Sequence, residues 1–249
     1  MTLDNFNLIC IIWAAIGLAS FILLQFITAP YGRHVKKGWG PEISNRMGWI
    51  IMEAPSLFII SCFYLLSDQS AYASLLSFLW IFHYVNRTFI YPFRIRTQGK
   101  KMPWVIILSA IFFNVINAGL NGYFLANFDP YSAASFSHSN FYIGIALFFA
   151  GFVVNQISDH ILINLRKPGE TGYKIPKGFL FHFISCPNLF GELIQWTGFA
   201  IMAWNYPAVS FLIWTAANLL PRAMGHHKWY QNNFTEYPKK RKIMIPGIW

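Results

Sequence analysis

The sequence predicts an all-α, polytopic integral membrane protein with seven transmembrane helices, its N-terminus outside and its C-terminus cytoplasmic. Three observations lead there. Charged residues are 11% of the chain and hydrophobic ones 55%, whereas a soluble domain carries roughly 25% charged residues. Such a chain cannot cover a water-facing surface of its own size. Its mean hydropathy is +0.41, and its 25 Phe, 12 Tyr and 10 Trp suit a solvent that accepts aromatic rings, which is lipid. Finally, its cations are segregated along the chain.

A membrane helix needs about 20 mainly apolar residues. Stretches of that kind fall at 6–28, 49–66, 71–93, 103–126, 140–163, 188–204 and 207–221, the last two short or interrupted. The first lacks a basic leader and a clear small-residue cleavage site, so it reads as a retained helix. The tail after Pro221 is too short for an independent domain. Residues 1–249 therefore read as a single membrane domain without internal repeats.

Between spans one and two lie Arg33, Lys36, Lys37 and Arg46; after span three come Arg94, Arg96, Lys100 and Lys101. After span five follow Arg166, Lys167, Lys174 and Lys177. The tail holds Arg222, Lys228, Lys239, Lys240, Arg241 and Lys242. Every Lys and Arg except Arg87 lies in these four segments, while the opposite loops contain no Lys or Arg but hold Asp4, Asp68 and Asp129. This alternation orients the chain with those four segments in the cytoplasm. The net charge of +10 then belongs to membrane loops. It does not form the solvated basic face that nucleic-acid binding requires, and some of it meets anionic lipid headgroups.

Cys10, Cys62 and Cys186 stand in apolar surroundings at irregular spacings, which argues against disulfides and thiol metal sites. Ionisable groups at membrane depth are functional candidates by default. Glu53 lies about one turn inside span two, just before Pro55. His83, Tyr84 and Arg87 lie in span three, Asp159 in span five and Glu192 in span six. Each acid or base could simply pair between helices; as a set near the cytoplasmic ends they predict a shared polar cavity. At 100° per residue, Asn155, Asp159 and Arg166 fall within about 60° of one another on one helix face. An amide, a carboxylate and a guanidinium so aligned can read a phosphorylated ligand. Arg222 and His226 are likewise i, i+4 in the tail. His226 and His227 point about 100° apart, too far for one metal ion. With no HExxH or EF-hand loop, no metal site is expected. No GxGxxG or GxxxxGK[ST] occurs, so a nucleotide would be held by side-chain clamps from the basic loops.

At these residues the chain resembles the steroid 5α-reductase family, the 3-oxo-5α-steroid 4-dehydrogenases. The similar segments are PYGRH (30–34), GWIIMEAPSL (48–57), HYVNRTFIYPFRIR (83–96) and NQISDHILINLRKPGETGYKIPKG (155–178). CPNLFGELIQW (186–196), PRAMGHHKWY (221–230) and EYPKKRKIMIPGIW (236–249) complete the set. The resemblance implies a seven-helix enzyme that uses NADPH to reduce the C4–C5 double bond of a 3-oxo-Δ4 steroid. It implies that Glu53 and Tyr84 bind the steroid carbonyl. Tyr31, Asn155, Asp159, Arg166, Tyr173, Asn188, Arg222, His226 and Tyr230 would surround the dinucleotide, so that residues 140–249 carry most of the cofactor motifs. Three positions depart from the family pattern: Met52 where Gln often stands, Gln195 where Glu is common, and Gly225 where a further His can occur. Met52 is expected to weaken hydrogen bonding around the substrate carbonyl.

A conjugated enone accepts hydride at its β-carbon when charge building on the carbonyl oxygen is stabilised. Two donors aimed at that oxygen would each contribute ~3 kcal/mol. Tyr84 donates as a phenol and Glu53 only as the protonated acid. The apolar substrate is expected to enter from the bilayer, with no obligate protein partner. Glu192 either holds the nicotinamide carboxamide or orients the neighbours of Glu53. An S-adenosylmethionine-dependent methyltransferase is the nearest rival, but methyl transfer has no need of the Glu53–Tyr84 pair. Reduction of another enone or enoyl lipid is a second. A non-catalytic lipid carrier is a third, and the chain lacks the inverted repeats usual for transport. A bacterial inner membrane and the endoplasmic reticulum suit the sequence equally.

Overall fold

The computed structural model describes residues 1–26, 38–97, 99–167, 170 and 172–249. Helices α1 (Leu3–Phe26), α2 (Asn45–Leu66) and α3 (Ala71–Val85) come first. A π-helical turn at Asn86–Ile90 carries α3 into the short α4 (Tyr91–Arg94). Then follow α5 (Trp104–Asn127), α6 (Ser139–Asn164), α7 (Pro187–Ala203) and α8 (Tyr206–Asn233). With α3 and α4 taken as one rod, the described residues form seven long helices, matching the expected spans within a few residues at most ends. Four of them, α1, α2, α5 and α6, are long and apolar enough to cross a membrane. α7 is 17 residues long, and the second half of α8 carries charge. The chain is an integral, multi-pass membrane protein.

The expectation for the last span needs correction. Helix α8 does not stop at Pro221 but continues to Asn233. Proline inside a helix costs roughly 3 kcal/mol. Packing on both sides of it offsets that loss: Leu219 and Ala223 are buried in one apolar cluster with Cys186, Leu189 and Met244. Arg222, His226 and Tyr230 therefore stand at i, i+4 and i+8 on one helix face.

The described residues divide into two compact units. The first is built on Met1–Trp13, Ala29–Phe141 and Ala203–Phe211. In it, β1 (Glu42–Ser44) pairs antiparallel with β2 (Lys101–Pro103), in the register Ile43↔Met102. This ladder ties the start of α2 to the start of α5, and the Ser44 hydroxyl caps α2 by accepting from Met47 N at 3.3 Å. At the far end of α2, Ser70 caps α3 by accepting from Ala73 N, and its own N and Oγ donate to Asp129 at 2.6 and 3.0 Å. Asp129 thus satisfies a helix N-terminus, where the dipole favours a carboxylate.

The second unit is built on Ala14–Thr28, Tyr142–Met202 and Leu212–Trp249. Its centre is a glycine seam between antiparallel α6 and α7. A Cβ on Gly151 would overlap the backbone of Gly191 and Gln195, and one on Gly191 would overlap Gly151 and Asn155. Two turns away, Gly144 and Gly198 repeat the arrangement against each other. Small residues let membrane helices approach closely. Here the seven-residue spacing on both helices keeps the seam in register.

Candidate active site and cofactor-binding face

In the first unit, α2 and α3 are joined by residues 67–70 and run antiparallel. Near the start of α2 stands Trp49; near the end of the α3–α4 rod stand Arg87 and Tyr91. The Arg87 guanidinium lies 4.8 Å from the Trp49 ring and 4.7 Å from that of Tyr91, and the two rings meet edge to face at 5.1 Å. Arg87 is 9% exposed, and ring faces are a favourable setting for a desolvated guanidinium. Arg46 adds a tie at this end, donating from Nε to Pro92 O at 3.0 Å.

From that contact, Glu53 is one turn further along α2 on the face of Trp49, and Tyr84 is one turn back along α3 on the face of Arg87. In an antiparallel pair these two steps run in the same direction, toward the connection at 67–70. Glu53 is partly buried. Tyr84 is 4% exposed, stacked on Trp80 at 5.5 Å and met edge-on by His83.

The second unit gathers the amides and the carboxylate. Close packing at the seam lets Asn155 on α6 donate from Nδ2 to Asn188 O at 3.0 Å, while Asn188 Nδ2 donates to Asp159 Oδ1 at 3.1 Å. Asn155 and Asp159 are buried. Arg166 does not share their face, because α6 ends at Asn164. Its Nη1 instead donates to Gly172 O at 3.3 Å, and its guanidinium lies 5.7 Å from the Tyr173 ring. Tyr173 in turn meets Trp229 of α8 edge to face at 4.8 Å. This brings Arg166 and Tyr173 to the helix that carries Arg222, His226 and Tyr230. Arg222 and His226 are half-buried; Tyr230 is buried and stacked on Tyr237 at 5.3 Å. Tyr31 lies outside the described residues.

One polar cluster went unmarked in the sequence reading. Ser185 Oγ shares hydrogen bonds with His227 Nδ1 at 2.5 Å and Tyr237 Oη at 2.6 Å, and donates to Lys242 O at 3.0 Å. His227 Nε2 meets Gln231 Nε2 at 2.8 Å. Arg241, 5% exposed, places its guanidinium over the Tyr237 ring at 5.0 Å. Burial holds the His227 imidazole below its ordinary value, and the charge of Arg241 lowers it further. Burial also pushes the Tyr237 phenol up, against the opposing effects of Ser185 and Arg241. The cluster joins the chain before α7 to α8 and to the segment after it, where Ile184 and Lys242 form a parallel bridge. Its signal in the sequence was the second His of GHHKWY beside the Tyr and Arg of EYPKKRK.

Residues 100–249 match the family described as 3-oxo-5-alpha-steroid 4-dehydrogenase. A steroid 5-alpha-reductase of Gossypium hirsutum is 39% identical over 94% of this chain and 93% of its own length. The 3-oxo-5-alpha-steroid 4-dehydrogenase 1 of Bos taurus is 39% identical over 94% and 93%, and that of Homo sapiens 38% over 94% and 92%. The chain belongs to the steroid 5-alpha-reductase family. It is an oxidoreductase of that family, as its motifs imply.

The second unit's residues fit the dinucleotide expected of such an oxidoreductase. Arg166, Arg222 and His226 are of the kind that could hold phosphates. The Asn155–Asn188–Asp159 network holds amides and a carboxylate that could meet hydroxyls and polar edges. Among the family departures, Met52 turns its side chain into an apolar cluster with Met102 and Ile107. Gln195 is fully buried, with its backbone against Gly151.

Proposed function

We propose that this chain reduces the C4–C5 double bond of a 3-oxo-Δ4 steroid with NADPH, giving the 5α-dihydrosteroid. The observation that carries the reading is that Glu53 and Tyr84 stand on antiparallel α2 and α3, each about one turn from the Trp49–Arg87 contact, in a chain of the steroid 5-alpha-reductase family. Glu53 and Tyr84 hold the C3 carbonyl oxygen and stabilise the charge that develops there as C5 is reduced. Glu53 does so as the protonated acid and Tyr84 as the phenol. The proton that completes the reaction reaches C4 from Tyr84 or from water. When bound, the reduced nicotinamide supplies the hydride that C5 receives.

Most of the dinucleotide's contacts fall to residues 140–249. Arg166, Arg222 and His226 face its phosphates. Asn155, Asp159 and Asn188 take its hydroxyls and polar edges, with Tyr31, Tyr173 and Tyr230 completing the enclosure. The steroid enters from the lipid. The cation-rich segments face the cytoplasm and the N-terminus the opposite side of a bacterial inner membrane or endoplasmic reticulum. Seven spans cross that membrane.

The test is oxidation of NADPH by the purified chain across a panel of 3-oxo-Δ4 steroids and enoyl thioesters, with S-adenosylmethionine binding measured in parallel. Oxidation that requires an added 3-oxo-Δ4 steroid supports the reading. Oxidation that requires an enoyl thioester instead, or saturable binding of S-adenosylmethionine and not NADPH, overturns it.

A further inference from the structure

Helix α2 is discontinuous in its hydrogen bonding at the turn that carries Glu53. Pro55 has no N–H, so the carbonyl of Ile51 lacks its usual i+4 donor, and a proline ring at this place loosens or bends a helix. A carboxyl on such a turn would be poorly held, yet a reacting geometry tolerates little misplacement.

Asn114 of α5 bridges this turn. Its Nδ2 donates to Met52 O at 2.5 Å and its Oδ1 accepts from Ser56 Oγ at 2.9 Å. Asn114 and Ser56 are 3% and 0% exposed. The two α2 partners flank Glu53 and are four residues apart, so one side chain grips both ends of a single turn. The Met52 side chain, buried with Met102 and Ile107, anchors the same turn a third time. All three ties lie on the side of α2 facing α5, leaving Glu53 about 100° around the helix, on the face of Trp49.

The other asparagines on this stripe of α5 behave differently. Asn117 Nδ2 donates to Phe113 O at 2.8 Å and Asn121 Nδ2 to Asn117 O at 2.9 Å, both within α5. Among the described residues, each has one link to another element: Asn117 accepts from Trp13 Nε1, and Asn121 donates to Pro207 O. Interhelical glue needs one such bond. A bridge whose both ends are on one proline-weakened turn does something more specific.

We propose that Asn114, with Ser56, is the positioning residue for Glu53, fixing the rotation of the Met52–Ser56 turn so that the carboxyl meets the substrate carbonyl. This rests on the assignment of Glu53 above. Asn114 touches neither substrate nor cofactor. It acts through the backbone of α2.

The experiment is a double-mutant cycle on the full chain: Asn114→Leu, Glu53→Leu and both together, with Ser56→Ala as a milder break of the same bridge. Turnover, steroid KM and NADPH affinity are measured on folded protein. Asn114→Leu is expected to lower kcat about tenfold or more, and Ser56→Ala severalfold, with NADPH affinity unchanged. In the Glu53→Leu background, Asn114→Leu is expected to add almost nothing, because the group it positions is gone. Equal losses with and without Glu53, or an Asn114→Leu kcat within twofold of wild type beside a depressed Glu53→Leu, overturns the positioning role. If Asn114→Leu does not fold, the cycle is read with Ser56→Ala, where the same criteria apply. If Glu53→Leu itself keeps wild-type turnover, the assignment of Glu53 fails, and the role of Asn114 fails with it.

Discussion

The two units solve opposite problems with polar groups. In the first, the groups near the Glu53 turn are held by ring faces and by a bridge to that turn: Arg87 between Trp49 and Tyr91, Tyr84 on Trp80, and Asn114 with Ser56 bracketing Glu53. In the second, polar side chains bond to one another, as in Asn155–Asn188–Asp159 and Ser185–His227–Tyr237. The difference suits the proposed ligands. A steroid offers one oxygen for which donors must be reserved, whereas a dinucleotide offers many polar atoms to a surface that must be rigid before it binds.

The sharpest way to break this contrast is to remove a donor from the first unit. Glu53→Leu and Tyr84→Phe should each lower kcat by about 10²–10³-fold, with NADPH affinity unchanged in a direct binding titration. Glu53→Gln, which keeps an N–H donor, should lose less. Wild-type turnover in both donor-removing variants would leave the first unit without its assigned chemistry.

A second test strikes the scaffold under the other unit. Gly151→Ala places a Cβ where the backbone of α7 stands, an overpacking that costs about 1–3 kcal/mol. It should part Asn155 from Asn188 and weaken NADPH binding by about tenfold, one decade per ~1.4 kcal/mol. Gly119→Ala, on α5 with open space at the Cβ position, should leave NADPH affinity unchanged. Equal NADPH affinity in Gly151→Ala and wild type would remove the seam from the cofactor face.

The smallest effect expected is one of pH. His227 is held neutral by burial and by Arg241, so its folded value lies below the ordinary 6.5. Protonation therefore favours the unfolded state. The stabilisation that neutral His227 contributes is complete above about pH 6.5 and is lost as pH falls through the lower, folded value. Thermal stability should be flat above about pH 6.5 and decline below it. In His227→Gln this part of the decline should disappear; a decline of unchanged depth would show that other groups cause it.

Much of the candidate site was legible because its residues come in short contiguous motifs. NQISD placed Asn155 and Asp159 together, and CPNLF placed Asn188. Helical periodicity was less dependable at element ends. Aligning Arg166 with Asp159 assumed a helix that stops at Asn164, and reading Pro221 as a terminus missed the turns of α8 that pack beyond it. The seven-residue glycine spacings at Gly144–Gly151 and Gly191–Gly198 went unmarked, since a spacing becomes an interface only when two helices meet. Ser185 carried no signal at all, since its partners are 42 to 57 residues away.

Composition and motif alone determined that this is a multi-pass, helical membrane protein and a steroid 5-alpha-reductase family oxidoreductase. The solvent a chain needs follows from its hydrophobic content, and a family signature is local in sequence. Only the tertiary structure decided which polar groups bond to one another: Asn155 with Asn188, Ser185 with His227, Asn114 with the two ends of the Glu53 turn. A hydrogen bond requires donor and acceptor within about 3 Å, and residues tens of positions apart are brought that close only by the packing of whole helices.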